Sequence, residues 1–277
     1  MQDNEIEENL SKHDPLILGN LKLNSRMIVG TGKYATLDLM KKCHEASRTQ
    51  MVTVALRRVP LNNIDNAEGG KIQSILHYID TEKITLLPNT AGAFSAEEAV
   101  RLAKMAMAMG MKFLKIEVMG DTKTLLPDPV ETLRTVELLR NKYTKDDLFL
   151  MVYTSDDPII ALKLLKAGAD CVMPAGSPIG SGRGIQNKSN IKMIIDLIKG
   201  EVPVIIDAGI GSPADAALAM EMGADAILLN TAIAKAQNPV TMAGAIRYAT
   251  IAGRLSYMSG RIPKKLYASA SSPILDF

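Results

Sequence analysis

Short apolar runs alternate with longer amphipathic segments along most of the 277-residue chain. Eight of these runs have the length and aliphatic content of buried strands, and consecutive runs begin 22 to 36 residues apart. That spacing fits one strand and one crossover helix in each repeat. The predicted strands cover residues 27–32, 49–56, 84–90, 113–118, 149–154, 171–176, 203–209 and 226–231.

The segments between the predicted strands carry signals for the starts and ends of helices. Ser95, followed three residues later by Glu98, predicts a capped helix over residues 96–109. Proline at a first helical position predicts two more helices, over residues 158–167 and 213–222. All three segments end in Ala-Gly or Met-Gly, which is typical of a helix C-terminus.

Eight β/α alternations without a break in composition predict an α/β fold, a single (β/α)8 TIM barrel with eight parallel strands. A doubly wound open sheet is the alternative. That fold usually has fewer strands and a G-x-G-x-x-G turn after the first one, and residues 30–35 (GTGKYA) do not match the turn.

The same pattern divides the chain into three parts. We expect a flexible N-terminal extension over residues 1–14, the catalytic barrel over 15–263 and a C-terminal tail over 264–277. A long loop is predicted after the second strand, over residues 57–70.

Composition narrows the classes of partner and cofactor. The net charge of +2 gives no reason to expect nucleic acid or a membrane surface, and no run of eighteen apolar residues predicts a membrane span. Two cysteines, Cys43 and Cys171, fit a reduced cytoplasmic protein, and the apolar run after Cys171 predicts a buried thiol. Three widely separated histidines predict no metal site.

The fourth predicted strand, FLKIEV, combines two charged residues with aliphatic ones. Alternation puts Lys115 and Glu117 on the face that points into the barrel, about 7 Å apart along the strand. Lys115 is then either a structural ion-pair partner of Glu117 or Asp207, or an amine nucleophile that forms an imine with a carbonyl substrate. Burial should lower the pKa of Lys115 and a carboxylate should raise it, and the sequence does not rank the two effects.

The seventh predicted strand ends in a carboxylate and a glycine-rich turn. Asp207 either caps a neighbouring loop or acts as an acid or base beside the lysine. Gly209 and Gly211 precede a helix start at Ser212, where free amides and the helix dipole would favour a phosphate.

Two other strand ends extend this predicted rim. Gly176 begins a second glycine-rich turn, GSPIGSG, after the sixth strand, and Asn230 and Thr231 at the end of the eighth strand are further hydrogen-bond donors. Barrels often bind phosphate after strands seven and eight. A nucleophilic lysine and a phosphate site together indicate a phosphorylated ketose or aldose as the substrate.

Five stretches of the chain, taken together, resemble the bacterial thiazole synthase family, the large subunit of thiamin thiazole assembly. The resemblance extends from about residue 16 to residue 263. The stretches are LLPNTAG (86–92), LKIEVMGDTKTLLPDP (114–129), VMPAGSPIGSG (172–182), VPVIIDAGIGSPADAALAMEMGADAILLNTAIA (202–234) and AGRLSYMSGRIP (252–263).

The resemblance implies a substrate, partners and roles for residues. The ketone of 1-deoxy-D-xylulose 5-phosphate would condense with Lys115 as a Schiff base, with Glu117 and Asp207 as the catalytic carboxylates. Sulfur would come from the C-terminal thiocarboxylate of a small ubiquitin-like sulfur carrier protein, and dehydroglycine would be the third reactant. No cofactor or metal is implied, and the family tends to form homo-oligomers, tetramers in particular. The implied phosphate and sugar contacts are Gly176, Ala208, Gly209, Asn230 and Thr231.

Two other functions remain compatible with the sequence. A class I aldolase would share the imine, cleave a carbon–carbon bond and need no protein partner. A non-catalytic sugar-phosphate-binding barrel would keep the glycine turns and tolerate loss of Lys115. Arg57 and Arg58 either receive a carboxylate of the carrier or of dehydroglycine, or are ordinary surface arginines.

Overall fold

The structure, a computed structural model, describes residues 12–55 and 75–271, together with Glu5, Glu7 and Leu10. A short antiparallel hairpin precedes the barrel strands, with β1 at Leu16–Leu18 and β2 at Leu21–Leu23. Its turn contains Gly19, whose φ of +57° is a conformation that glycine adopts freely. A Gly-Asn pair between two apolar runs is a hairpin signal, which the eight-strand prediction does not include.

Eight parallel strands follow the hairpin, and each lies within a range that the sequence predicts. Five of the eight end two residues earlier than predicted, because the last residues of those predicted runs already belong to loops. The barrel strands are β3 (Met27–Gly30), β4 (Met51–Ala55), β5 (Thr85–Asn89), β6 (Phe113–Ile116), β7 (Phe149–Thr154), β8 (Cys171–Pro174), β9 (Ile205–Asp207) and β10 (Ala226–Leu229).

The strands form a ring. Their hydrogen-bonded order is β8-β7-β6-β5-β4-β3-β10-β9, and parallel bridges between Val172 and Val204 and between Ala175 and Asp207 join the two ends. The predicted (β/α)8 barrel is therefore confirmed, and the alternative of an open doubly wound sheet is wrong.

Helices surround the ring, and the three that the sequence predicts are present to within one residue. Prolines occupy the first turn of four of the helices, where a missing N–H has no cost. A 3-10 helix at Ile75–Tyr78 lies between β4 and β5. The α-helices are α1 (Leu37–Ser47), α2 (Ala96–Ala108), α3 (Pro129–Arg140), α4 (Pro158–Lys166), α5 (Lys188–Ile198), α6 (Pro213–Glu221), α7 (Thr231–Ala234) and α8 (Pro239–Ser259).

Strand alternation divides the apolar core into two layers. Outward side chains such as Leu114 and Ile116 pack against the helices. Inward side chains such as Met51 and Met151 fill the lower part of the barrel, together with Leu18 of the hairpin. The hairpin thus closes the N-terminal end of the barrel, which leaves the C-terminal rim as the end where polar side chains collect.

Ion pairs connect the segment before the hairpin to the N-terminal end of the barrel. The carboxylate of Asp14 lies 2.8 Å from Arg26 and 2.6 Å from Arg254, and Glu7 pairs with Arg48 and Arg247. A cavity of about 1000 Å³ opens among these groups. It lies at the end where (β/α)8 barrels carry stability rather than catalysis.

Several other predictions concern single features. Cys171 is buried as predicted, and Cys43 is buried as well. Within the described ranges, no helix has the length and apolar content to cross a membrane, and no cluster of side chains has the composition of a metal site. The predicted loop over 57–70 lies outside the described residues.

Candidate active site

The alternation predicted for the fourth barrel strand is present in β6. Leu114 and Ile116 face the helices, whereas Lys115 and Glu117 lie inside the barrel and are each 5 % exposed. Because Leu114 and Ile116 pack against the helices, the two charged side chains must point into the barrel. There they lie on the C-terminal side of the apolar residues that fill its interior.

Lys115 forms two ion pairs inside the barrel. Its Nζ lies 2.6 Å from Oδ2 of Asp207 and 3.4 Å from Oε2 of Glu117. Asp207 ends β9, three strands from β6 around the ring, and is 2 % exposed. Salt and solvent therefore screen these attractions much less than they screen a surface ion pair.

The structure decides the electrostatic competition that the sequence left open. Burial disfavours the charged amine, but the attraction of Asp207 and Glu117 outweighs it, so the pKa of Lys115 is raised. Burial raises the pKa of Asp207 to about 6 despite the opposing effect of the ammonium group. The resting amine is protonated and must lose a proton before it attacks a carbonyl, and Asp207 is the nearer of its two acceptors.

Thr90 fixes the backbone that carries Glu117. Its hydroxyl donates to the Glu117 carbonyl and accepts from the Glu117 N–H, both at 2.8 Å. Glu117 lies just beyond the last residue of β6. The Thr90 hydroxyl therefore supplies the backbone hydrogen bonds that a neighbouring strand would otherwise make to Glu117. Both groups are buried, and the glutamate is thereby held at a defined position relative to Lys115.

Inward-facing polar atoms near the amine lack hydrogen-bond partners among the described residues. They are Oδ1 of Asn89, opposite Lys115 in the β5–β6 pairing, and the hydroxyl of Tyr153, whose ring centroid lies 5.1 Å from Lys115 Nζ. Oδ1 of Asn230 at the end of β10 is also unpartnered. An unsatisfied buried polar atom costs about 1–3 kcal/mol, so these atoms are suited to bonding a polar ligand.

The two glycine-rich turns meet at the rim. Gly184 donates to the Gly209 carbonyl at 2.8 Å, and a Cβ on Gly176 would come within 3.0 Å of the Ala208 carbonyl. Gly209 has a φ of +85°, and a Cβ there would overlap the backbone and side chain of Ser177. Within the described chain, the N–H of Gly209 has no acceptor. Glycine at these positions therefore permits a backbone contact that any side chain would block.

Gly211 lies in the turn before α6, and its amide is bonded within the protein. Its N–H donates to the Asp215 carboxylate at 3.0 Å, and so does the N–H of Ser212, as part of the capping box that begins α6. The amide expected to face a phosphate therefore already has an acceptor in this structure, and a direct contact of Gly211 with the substrate stays a prediction. A Cβ on Gly211 would overlap the Gly182 carbonyl, which shows that this glycine serves the contact between the two turns.

A lysine that the sequence reading missed lies beside the predicted phosphate contacts. Nζ of Lys33, in the loop after β3, is 3.5 Å from Oγ1 of Thr231, next to Gly180 of the turn after β8. Lys33 has no ion-pair partner in the part of the chain that is described. No sequence pattern marks it, because its orientation depends on a backbone φ of +67°.

Backbone strain is concentrated at this rim. Four non-glycine residues in the described ranges have a positive φ, and three of them, Lys33, Leu125 and Ala208, follow β3, β6 and β9. Each such residue costs on the order of 1–3 kcal/mol, and strain of this kind clusters at functional sites. The fourth, Arg48, ends α1 in an ordinary helix-capping role.

The structure brings most of the predicted site residues together at one end of the barrel. Lys115, Glu117 and Asp207 are in contact, and the glycine turns and the end of β10 lie on the same rim. Tyr153 and Thr90 are two residues that the sequence reading missed. Strand alternation alone would have found Tyr153, which faces inward two residues beyond Met151. Arg57 and Arg58 lie outside the described residues.

The fold and the site together define a class of protein, a (β/α)8 barrel whose C-terminal rim, the end where enzymes of this fold carry their active sites, contains a buried amine. Residues 17–273 match the family described as thiazole biosynthesis protein ThiG. The chain belongs to this family of thiazole-forming enzymes of thiamin biosynthesis, and the resemblance inferred from its motifs is confirmed.

Relatives support the assignment over almost the whole chain. The thiazole synthase of Aliarcobacter butzleri is 52 % identical over 264 residues, covering 95 % of this chain and 97 % of the relative. That of Myxococcus xanthus is 50 % identical over 261 residues, covering 94 % and 95 %. Among solved structures, the BexX/CysO complex of Amycolatopsis orientalis contains a chain that superposes with a TM-score of 0.78 at 30 % identity, covering 91 % of this chain and 99 % of that one.

Proposed function

We propose that this enzyme forms the carboxylated thiazole phosphate from 1-deoxy-D-xylulose 5-phosphate, dehydroglycine and the thiocarboxylate of a sulfur carrier protein, through a Schiff base on Lys115. One observation carries the proposal. A buried primary amine lies 2.6 Å from a carboxylate that can accept its proton, on the rim that also contains the two glycine turns.

The first step uses Lys115 and Asp207. Transfer of a proton from Nζ to the Asp207 carboxylate gives a neutral amine, which adds to the ketone and then loses water to form the imine. The imine draws electrons from the adjacent carbon and makes its C–H acidic. Glu117, 3.4 Å from Nζ, is positioned to take that proton and return it, which moves the carbonyl along the sugar chain.

The phosphate end of the substrate fits the opposite part of the rim. Lys33 supplies a positive charge, Thr231 a hydroxyl and Gly209 an unpartnered N–H. Ala208 and Gly176 bring the two turns close enough for backbone groups to reach the sugar phosphate. Asn230, which donates to the Gly32 carbonyl at 2.8 Å, has a free Oδ1 for a sugar hydroxyl. Gly211 supports phosphate binding indirectly, because it allows the two glycine-rich turns to pack together at Gly182, while its own amide is bonded to Asp215.

The later steps require a protein partner. Sulfur from the carrier's thiocarboxylate adds to the rearranged sugar, and the carrier leaves with an ordinary C-terminal carboxylate whose new oxygen comes from the sugar carbonyl. The dehydroglycine imine is then captured, and the ring closes with loss of water. The structurally similar chain was crystallised as part of the BexX/CysO complex, which supports a barrel that binds a second protein. We infer a cytoplasmic homo-oligomer that needs no cofactor of its own for these steps.

Borohydride trapping tests the proposal. We expect reduction of the protein with 1-deoxy-D-xylulose 5-phosphate to add the mass of the sugar to the peptide containing Lys115. Lys112, which is exposed and directly precedes the same strand, provides a matched control, and Lys112→Met should trap as the wild type does. Lys115→Met should not trap. Label that persists in Lys115→Met, or absence of label in the wild type, contradicts the Schiff base.

A second measurement separates the proposed reaction from its rivals. Thiazole formation should depend on the thiocarboxylate form of the carrier. Carbon–carbon cleavage products without the carrier would identify an aldolase. Sugar-phosphate binding that is unchanged in Lys115→Met, with no turnover in the wild type, would identify a binding protein.

A further inference from the structure

Tyr153 is a completely buried tyrosine that the proposed reaction has not used. It is 0 % exposed and lies in a small cluster with Met119 and Ala175. Leu125 and Ile179, from the loops after β6 and β8, pack against this cluster. The ring is therefore enclosed on the side of the loops, and its position is set by packing rather than by a hydrogen bond.

The phenol lies next to the reacting groups. The Lys115 Nζ is 5.1 Å from the ring centroid, within the range of a cation–π contact. Burial, and after it the charges of Asp207 and Glu117, raise the pKa of Tyr153 well above its usual value. Both carboxylates thus disfavour the phenolate, so the hydroxyl is a hydrogen-bond donor at neutral pH.

The hydroxyl has nothing to donate to within the described chain. Buried tyrosine hydroxyls usually find a partner, because leaving one unpaired costs about 1–3 kcal/mol. Phenylalanine would fill the same space without that cost. A tyrosine at this position is therefore explained if the missing acceptor is an oxygen of the substrate.

We propose that the Tyr153 hydroxyl donates a hydrogen bond to the substrate carbonyl oxygen while Lys115 adds to the ketone, which makes Tyr153 a catalytic residue of imine formation. The inference rests on the proposed Schiff base at Lys115. A preorganised donor in a site without bulk water stabilises the negative charge that develops on that oxygen.

The atoms and charges of the step balance. Asp207 takes the proton from the ammonium group, and the nitrogen lone pair then forms the C–N bond as the carbonyl π electrons move to oxygen. Tyr153 holds this oxygen by its hydrogen bond without giving up its own proton, since its raised pKa opposes a buried phenolate. The proton on Asp207 passes to the oxygen and gives the carbinolamine. Asp207, ionised again, takes a second proton from the nitrogen and returns it to the hydroxyl, which leaves as water while the nitrogen lone pair forms the C=N bond of the protonated imine.

The test compares two tyrosine-to-phenylalanine variants. Tyr153→Phe removes the unpartnered hydroxyl and keeps the ring. Tyr34→Phe is the matched control, because Tyr34 also has a buried, unpartnered hydroxyl but packs against His44 of α1, outside the barrel interior. The rate of imine formation is measured by rapid quench with borohydride at saturating sugar phosphate, together with the thermal unfolding midpoint.

We expect Tyr153→Phe to form the imine about a hundredfold more slowly, as is typical for loss of one such donor. The KM for the sugar phosphate and the unfolding midpoint should change little, and Tyr34→Phe should match the wild type. Equal rates of trapping in Tyr153→Phe and the wild type would overturn the inference and leave the Schiff base intact. Loss of trapping in the wild type itself would instead remove the proposed function.

Discussion

The ion pair between Lys115 and Asp207 gives a sharp test of how this site controls the charge of its amine. Asp207→Asn keeps the shape of the side chain and removes its charge. Burial then still disfavours the ammonium group, while one of the two attractions that outweigh burial is gone. We therefore expect the pKa of Lys115 to fall, and the free amine to become more populated near neutral pH.

The distances give the size of the effect. At an effective dielectric constant of about 20, unit charges separated by the observed 2.6 Å attract by ~6 kcal/mol, and those separated by 3.4 Å by ~5 kcal/mol. Breaking a buried pair typically costs about 3–5 kcal/mol, and one pKa unit corresponds to about 1.4 kcal/mol. The pKa of Lys115 should thus fall by at least about two units in Asp207→Asn, and by less in Glu117→Gln.

Competitive acetylation of lysines, followed by peptide mass spectrometry across a range of pH, reports the pKa of Lys115 directly. The exposed Lys112 in the same protein provides an internal reference. The same samples should separate the pKa of Lys115 from the rate of imine formation. In Asp207→Asn more of the Lys115 amine is unprotonated, but no carboxylate is left at position 207 to accept the proton. Acetylation of Lys115 should therefore increase at neutral pH while imine formation with the sugar phosphate decreases.

The wild-type pH dependence follows from the same pair. Asp207 accepts a proton only when ionised, and its pKa is about 6, so imine formation should rise as the pH increases through about 6. That rise should be absent in Asp207→Asn. The reasoning is refuted if the pKa of Lys115 stays the same or rises in Asp207→Asn, or if Glu117→Gln lowers it more.

Two further substitutions test the parts that support the site. Thr90→Val removes both hydrogen bonds to the Glu117 backbone, so chemical denaturation should show a loss of about 1–3 kcal/mol, and an unchanged stability would mean that water replaces the hydroxyl. Gly211→Ala should raise the KM for the sugar phosphate, because the added Cβ would push the two turns apart. Gly244→Ala is the control: this helical glycine has nothing within 4 Å of its Cβ position, so KM should be unchanged and the fold should be more stable by about 0.5–1 kcal/mol. Equal KM values in the two variants would contradict the packing role of Gly211.

Strand alternation accounts for the parts of the site that the sequence predicted. In β6, a single inward lysine between outward aliphatic residues fixes the position of the amine once the fold is a parallel barrel. Asp207 follows from the same logic, since it ends a strand in a ring where all the carboxyl ends meet. Such positions are predictable because they depend on a period of two residues and on the direction of the strand.

Contacts between loops were not predictable in the same way. Gly211 has the sequence context of a phosphate-binding amide, but whether that amide is free depends on the rotamer of Asp215, four residues later. Lys33 reaches Thr231 from the other end of the chain through a left-handed backbone conformation that glycine usually adopts. Neither contact follows from the periodicity of apolar residues or from the conformational preference of a single residue type, so neither could be predicted from the sequence.

The charges of the site explain why its lysine is paired so closely with acids. A deprotonated lysine would be nucleophilic at once, yet a raised pKa keeps this one as an ammonium group between Asp207 and Glu117. In the proposed reaction, the phosphate of the substrate binds at Lys33, and its carbonyl at Nζ supplies an electrophile for the amine as soon as Asp207 accepts the proton. Since the acceptor is only 2.6 Å away and has a pKa near 6, the amine can be freed without bulk water, and the same carboxyl group retains the proton needed to expel water from the adduct.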